Sequence, residues 1–332
     1  MPYRISLLDK SPIAPGSTVV EALQTSVAFA QTAERLGYHR LWVAEHHGTP
    51  QLASSAPEIV VAHLLAATRR IRIGTGGVLL QHYSPFKVAE VFGVLSALAP
   101  GRVDLGIGKA PGGLPFGTRA LQSEHGQPRR SFEAKLEELE QFLTDSLPET
   151  HALHGAVALP RPPLQPQKFL LGASPDSAAL AARLGWDFTY AGHHDGNPEA
   201  VARALAAYEG AADRKASLAL AAIIAPTRAE AEAQGAEHRI YKVTLADGHS
   251  VNLPTPEAAA EYARQAGGQP YALEERRPSV LIGTGAEVRA ELDALHHRFG
   301  VTEFILDLPT ADRTARLQAI ELLAEAGLRR AA

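Results

Sequence analysis

Three adjacent side chains that can exchange protons or bind a metal, Glu45, His46 and His47, end the apolar run "RLWVAE" and its continuation. A carboxylate beside imidazoles can act as a general acid or base near neutral pH, or contact a cofactor. On a period of two, Glu45 and His47 share a side, so a hydrogen bond that holds a loop is a second interpretation. A metal site is a third, to which "AGHHDG" (191–196) would add a histidine pair and Asp195.

Glycines, a lysine and two serines form a second set of candidates. Gly76 and Gly77 in "GTGGVLL" weaken a strand, which indicates a flat ligand against the backbone or a crowded interior. Lys109 in "GIGKAPGG" could meet a phosphate as a point charge. Ser174 and Ser177 in "LGASPDSAALAARLGW" begin a helix, where free N–H groups and hydroxyls can bind an anion, although a plain N-cap by Ser174 explains them equally well.

Eight short runs rich in Ile, Val and Leu alternate with segments of helical period, and these elements must position the candidates. The alternation is typical of βα units around a parallel sheet. Eight units fit a closed barrel, and "GIGKAPGG" departs from the G-x-G-x-x-G pattern of dinucleotide-binding sheets. We predict an α/β fold, a TIM (β/α)8 barrel with insertions after strands 4 and 7, as one domain over 1–332. The predicted strands are 4–9, 40–45, 71–80, 102–108, 168–173, 187–192, 217–225 and 303–309.

The active site of such a barrel lies at the carboxyl ends of its strands. His46 follows the second predicted strand, Lys109 the fourth and Ser174 the fifth. The barrel therefore predicts that these residues surround one mouth. The segment 243–279 beyond the seventh strand is rich in Gly, Pro and polar residues, and we predict that it is a mobile lid.

Composition excludes several classes of function. The 332 residues carry a formal net charge of -4 and no Lys/Arg block, which argues against nucleic-acid binding. The absence of cysteine excludes disulfides, cysteine zinc sites and thiol nucleophiles. No apolar run approaches the roughly 18 residues of a membrane span, and the amino terminus does not resemble a signal peptide. We therefore expect a cytoplasmic protein that binds no membrane.

The combination of three stretches resembles the luciferase-like family of flavin-dependent monooxygenases. They are "LWVAEHHGTP", "IRIGTGGVLLQHYSPFKVAEVFGVLSALAPGRVDLGIGKAPGG" and "LGASPDSAALAARLGW". The resemblance runs over about residues 3–327, and "SLLDKSPIAPG" is similar to a bacterial subgroup described as luciferase-like oxidoreductases. It implies a TIM barrel that binds FMN or reduced FMN at the carboxyl ends of the strands.

The resemblance assigns roles around the flavin ring. His46 matches a histidine implicated in catalysis, and Glu45 matches a carboxylate near the flavin. Gly76 and Gly77 fall where the family has a bulged, often cis, peptide against the ring. Gly108 stands where luciferase itself has a reactive cysteine, which argues against a close functional copy.

It also implies a phosphate site. Lys109 replaces a phosphate-binding arginine, which keeps the charge and loses the bidentate fork. Ala173, Ser174 and Ser177 match the phosphate-binding turn and helix start. Three residues that end the sixth strand are expected to border the ring: Ala191, Gly192 and His193.

The function implied is an FMN-dependent monooxygenase or oxidoreductase that uses O₂ on a small organic substrate. Reduced flavin would come from a separate flavin reductase or from NAD(P)H in place. A deazaflavin-dependent oxidoreductase and a non-catalytic flavin-binding protein are the alternatives. Helices predicted at 57–68 and 86–98 correspond to the dimer interface of the family and are apolar beyond one face, so a homodimer is expected.

Overall fold

The computed structural model describes the chain except residues 1, 124–129, 194–195, 237, 277–278 and 332, and the side chains of 328–331. The strands, in chain order, are β1 (Arg4–Asp9), β2 (Arg40–Val43), β3 (Arg72–Thr75), β4 (Val78–Leu79), β5 (Val103–Gly108), β6 (Gln167–Gly172), β7 (Asp187–Ala191), β8 (Ser217–Ile224), β9 (Ile240–Leu245), β10 (Ser250–Leu253), β11 (Tyr271–Arg276), β12 (Val280–Gly283) and β13 (Glu303–Asp307). The helices are α1 (Val19–Leu36), α2 (Pro57–Ala67), α3 (Pro85–Leu98), α4 (Pro115–Leu121), α5 (Phe132–Thr144), α6 (Pro175–Arg183), α7 (Pro198–Ala212), α8 (Arg228–Gly235), α9 (Pro256–Gln265), α10 (Gly285–Phe299) and α11 (Arg313–Ala331).

Eight parallel strands close into a barrel. Their order is β1-β2-β3-β5-β6-β7-β8-β13, and β13 pairs with β1 to complete the ring. Each of the eight predicted runs supplies one of these strands, so the predicted TIM barrel is confirmed. The third run differs in one respect: Gly76 and Gly77 interrupt it, and the chain continues as the short strand β4, which pairs with β5.

Local sequence sets the ends of the helices. Thr18 and Glu21 form a reciprocal capping box at the start of α1, and Gly37 ends that helix with φ of 78°. Ser174 caps α6 by accepting a hydrogen bond from the Ser177 backbone N–H. Such caps place each helix directly after its strand, which brings loop residues to the same end of the barrel.

The barrel interior is filled in layers. Apolar side chains from five strands meet in the middle, where the rings of Trp42 and Phe169 lie 4.8 Å apart edge to face. A charged layer closes the amino-terminal end. There the buried Arg40 binds Asp104 at 2.8 Å and Glu303 at 2.7 Å. This layer is far along the strands from the predicted site and is structural.

The insertion after β8 is a folded unit. Strands β9, β10 and β11 form an antiparallel sheet in the order β10-β9-β11, and α9 packs on it through Val243 and Ala259, both fully buried. The α9 residue Gln265 accepts a hydrogen bond from the Phe116 backbone N–H of α4 at 2.9 Å. The two predicted insertions, after the fourth and seventh barrel strands, therefore meet. Residues 277–278 of the predicted lid lie outside the described residues.

Candidate active site

Glu45 lies at the centre of a buried hydrogen-bond network. Its Oε1 accepts from His47 Nε2 at 2.6 Å and from the Tyr83 hydroxyl at 2.8 Å, and its Oε2 accepts from the Leu79 backbone N–H at 3.0 Å. Burial and the neighbouring carboxylate raise the pKa of Tyr83, so its hydroxyl stays protonated and donates. As the period of two predicted, Glu45 and His47 share a side. Glu45 therefore joins the ends of β2 and β4 to the turn that follows.

His82 extends this network. Its Nε2 lies 2.9 Å from the Pro111 carbonyl oxygen, which can only accept, so Nε2 carries the proton and Nδ1 accepts from Gln122 at 3.1 Å. Burial lowers the pKa of His82, which keeps the ring neutral. Sequence reasoning assigned no role to His82 or Tyr83. The signal available was "QHYSP", polar aromatic residues directly after the glycine-interrupted third strand.

His46 is directed to the other side of the chain. Trp42 and Ala44 belong to the layer inside the barrel, and His46 continues their side by alternation, at the mouth. It is half-buried, and its backbone N–H donates to the Ser54 carbonyl at 3.1 Å. The side chain of Glu45 bonds to His47 and Tyr83, whereas alternation directs His46 to the opposite side of the chain.

Gly76 and Gly77 lie against the barrel wall, and the peptide bond between them is cis. A Cβ atom on Gly76 would come within 2.8 Å of Leu8 Cδ1 and 2.9 Å of Trp42 Cβ. One on Gly77 would meet the Gly106 carbonyl oxygen at 2.7 Å. Close packing in the barrel interior is therefore enough to require glycine at both positions. A flat ligand lying against this backbone is compatible with the same packing.

A cavity of about 1250 Å³ brings the predicted anion-binding residues together. Lys109, Ser174 and Ser177 all line it, although they come from loops after different strands. Ser174 Oγ donates to Ser177 Oγ at 3.1 Å and caps α6, whose amino-terminal end opens on the cavity. Lys109 is exposed. A cation, two hydroxyls and a helix amino terminus provide the donors and positive potential that a phosphate requires.

The remaining predicted cofactor contacts, to the phosphate and to the ring, do not line this cavity. Ala173 is exposed beside Ser174, Ala191 ends β7, and Gly192 packs so closely that a Cβ atom there would meet the Ala219 carbonyl oxygen at 2.8 Å. His193 is half-buried. Among the described residues, no group of three or more His, Asp or Glu side chains is arranged to hold a metal ion. His194 and Asp195, the other metal candidates, lie outside those residues.

Comparison with known proteins decides the family. A family model described as luciferase-like monooxygenase matches residues 1–303. The chain belongs to the luciferase-like monooxygenase family. Among curated relatives of this family, N-acetyl-S-alkylcysteine monooxygenase of Bacillus subtilis (strain 168) is 42% identical over 98% of each chain. In the described part of the chain, no helix has the length and apolar character that crossing a membrane requires.

Solved structures share the luciferase-like barrel. Apo-MsnO8 is 33% identical, with a TM-score of 0.76 over 98% of each chain. The oxygenating constituent of 3,6-diketocamphane monooxygenase from Pseudomonas putida, in complex with FMN, is 18% identical, with a TM-score of 0.68 over 98% of this chain and 97% of its own. At that identity the likeness supports the fold alone. The 3,6-diketocamphane monooxygenase constituent, which shares this fold, binds FMN in that complex.

Proposed function

We propose that the protein is an FMN-dependent monooxygenase that oxidises a small organic substrate with O₂. The observation that carries the proposal is the convergence of Lys109, Ser174 and Ser177 on one cavity at the carboxyl ends of the strands. Those residues fit the phosphate of FMN, because charge and hydrogen-bond donors are both present. The membership of a monooxygenase family supports the type of reaction.

The residues would divide the work between binding and proton transfer. Lys109, Ala173, Ser174 and Ser177 would hold the phosphate, and His46 would move a proton at the mouth. When bound, reduced FMN would supply two electrons, so that one atom of O₂ enters the substrate and the other leaves as water. The residues proposed to border the ring are Gly76, Gly77, Ala191, Gly192 and His193.

Glu45 would act as a positioning residue. Its side chain is buried and is bonded to His47, Tyr83 and the Leu79 backbone, so it orders the loop that carries His46. The unit formed by β9 to β11 and α9 would cover the mouth and exclude water. A separate flavin reductase, or NAD(P)H acting in place, would regenerate the reduced flavin.

The cofactor assignment predicts a preference for a phosphorylated flavin. Titration with FMN, riboflavin and a deazaflavin, each oxidised and reduced, should give tightest binding for FMN. Lys109→Met should weaken FMN binding roughly 10-fold and leave riboflavin unchanged, because only the phosphate loses a charge-assisted contact. Fluorescence of the flavin measures both affinities.

The matched control is Lys215→Met, an exposed lysine before β8 at the opposite end of the barrel, which should bind FMN as the wild type does. Equal weakening of FMN and riboflavin by Lys109→Met would argue against a phosphate site at Lys109. Tighter binding of the deazaflavin than of FMN would indicate that the deazaflavin is the cofactor.

We also propose that the protein forms a homodimer through α2 and α3. Both helices bury one face against the barrel, yet Ile59, Val94 and Leu98 remain 67%, 45% and 72% exposed. Exposed apolar side chains on neighbouring helices are typical of an association surface. Light scattering of the wild type should give twice the 35.3 kDa mass of one chain. The double variant Ile59→Asp, Leu98→Asp should give the mass of one chain. A wild-type mass of 35.3 kDa would contradict the dimer.

A further inference from the structure

A charged pair lies in the barrel mouth where β1 and β13 end. Lys10 Nζ donates to Asp307 Oδ2 at 2.5 Å. Leu8 and Ile305 belong to the layer inside the barrel, and Lys10 and Asp307 each lie two residues further along, so both continue on the interior side. The pair therefore stands within the carboxyl-terminal mouth and is separate from the residues proposed to bind the flavin.

The cation is the outer member of this pair. The Asp307 side chain is 6% exposed and the Lys10 side chain 27% exposed. An ammonium group has three donors, of which Asp307 takes one. Asp307 is therefore the inner member of the pair and accepts one hydrogen bond from Lys10. The other two N–H groups of the ammonium can donate to a ligand in the barrel mouth.

His238, just before β9, lies within electrostatic reach of Lys10 and Asp307. Burial lowers the pKa of His238, which favours a neutral ring. Arg239 pairs with Glu275 at 3.0 Å, but the Glu275 side chain is 59% exposed and its charge is screened by water. The neutral His238 ring therefore adds no charge that would compete with an anion for Lys10.

The position of the pair separates it from the proposed phosphate site. In the ring of eight strands, β1 stands four strands from β6, and β13 stands four strands from β5. Lys109 follows β5 and Ser174 follows β6. The mouth therefore has cationic groups on opposite walls, with His46 after β2 on the wall between them. A flavin anchored at one wall leaves the other wall for a second ligand.

We propose that Lys10, held by Asp307, binds the carboxylate of the substrate, so that the enzyme acts on small organic acids. This inference rests on the proposed monooxygenase function. A charge-assisted hydrogen bond between an ammonium and a carboxylate is stronger than a neutral one, especially in a partly buried site. The carboxylate would orient the substrate across the mouth towards His46.

The test compares an acid with its uncharged analogue: N-acetyl-S-methylcysteine and its methyl ester. Calorimetric titration of the protein, with and without bound FMN, measures binding without requiring turnover. The wild type should bind the acid roughly 10- to 100-fold more tightly than the ester. Lys10→Met should abolish that preference by weakening only the acid, and Lys10→Arg should retain it.

A second variant guards against misfolding. Lys10→Met with Asp307→Asn removes both charges, leaves no unpaired buried carboxylate, and should also bind acid and ester equally, whereas Lys215→Met should behave as the wild type. A preference for the acid that both Lys10→Met proteins retain, or no measurable binding of the acid to the wild type, would overturn the inference. If the wild type binds no flavin but prefers the acid, and Lys10→Met loses that preference, the result would support the Lys10 site and contradict FMN as the cofactor.

Discussion

His46→Ala is expected to lower kcat by roughly 10²- to 10⁴-fold, the range that a positioned acid or base contributes. His46 follows β2 and, by alternation from Trp42 and Ala44, faces the barrel mouth, and the residues proposed to bind the phosphate belong to other loops. The affinity for FMN should therefore change little, because His46 does not line the cavity that holds Lys109 and Ser174. Single-turnover oxidation of the substrate by protein loaded with reduced FMN measures the loss directly.

His297→Ala is the matched control for that experiment. His297 is an exposed histidine on α10, and its replacement should leave kcat within a factor of two or so of the wild type, the usual range for a surface change. A His46→Ala protein with unaltered kcat would remove the catalytic assignment. A decrease matched by a similar loss of FMN affinity would make His46 a cofactor-binding residue instead.

Asp104→Ala is expected to destabilise the fold by about 3–5 kcal/mol, the range for removing one member of a buried ion pair. The Asp104 side chain is fully buried and accepts from Arg40 at 2.8 Å, from Arg72 at 2.5 Å and from Trp42 Nε1 at 3.0 Å. Its removal leaves the buried Arg40 with one carboxylate fewer and the indole N–H without its acceptor. Urea denaturation followed by circular dichroism measures the change in the free energy of unfolding.

Glu321→Ala tests whether burial is the cause. Glu321 pairs with Arg35 at 3.2 Å, and both side chains are largely exposed, at 46% and 61%. Solvent screens such a pair, so the free energy of unfolding should fall by less than about 1 kcal/mol. If Asp104→Ala costs no more than this control, the charged layer at the amino-terminal end of the barrel does not stabilise it.

Much of the fold follows from local pattern. Each barrel strand coincides with a short, mostly apolar run, because strands covered on both faces bury most of their side chains. The helix after β6 begins at Ser174, since Ser-Pro-Asp offers a cap and a proline at the first turn. Lys109 and Ser174 could be predicted to converge because the carboxyl ends of parallel strands meet at one mouth.

Pairings between distant residues were beyond the reach of the sequence. The period of two indicated that Glu45 and His47 share a side, yet Tyr83 lies 38 residues away, and its contact with Glu45 depends on the turn after β4. Likewise the insertion after β8, which was predicted as a mobile lid, forms a sheet with its own small core that local pattern did not indicate. Its apolar positions are too few and too widely spaced to be recognised locally.

The sequence by itself determined the barrel, the family and the residue types available at the mouth, because these depend on periodicity and on short motifs. Only the tertiary structure decided which charges meet. Arg40 binds Glu303 across 263 residues, and Lys10 binds Asp307 across 297. Such pairs form because closure of the barrel brings the first and last strands side by side. No local sequence pattern indicates which distant residues this closure brings into contact.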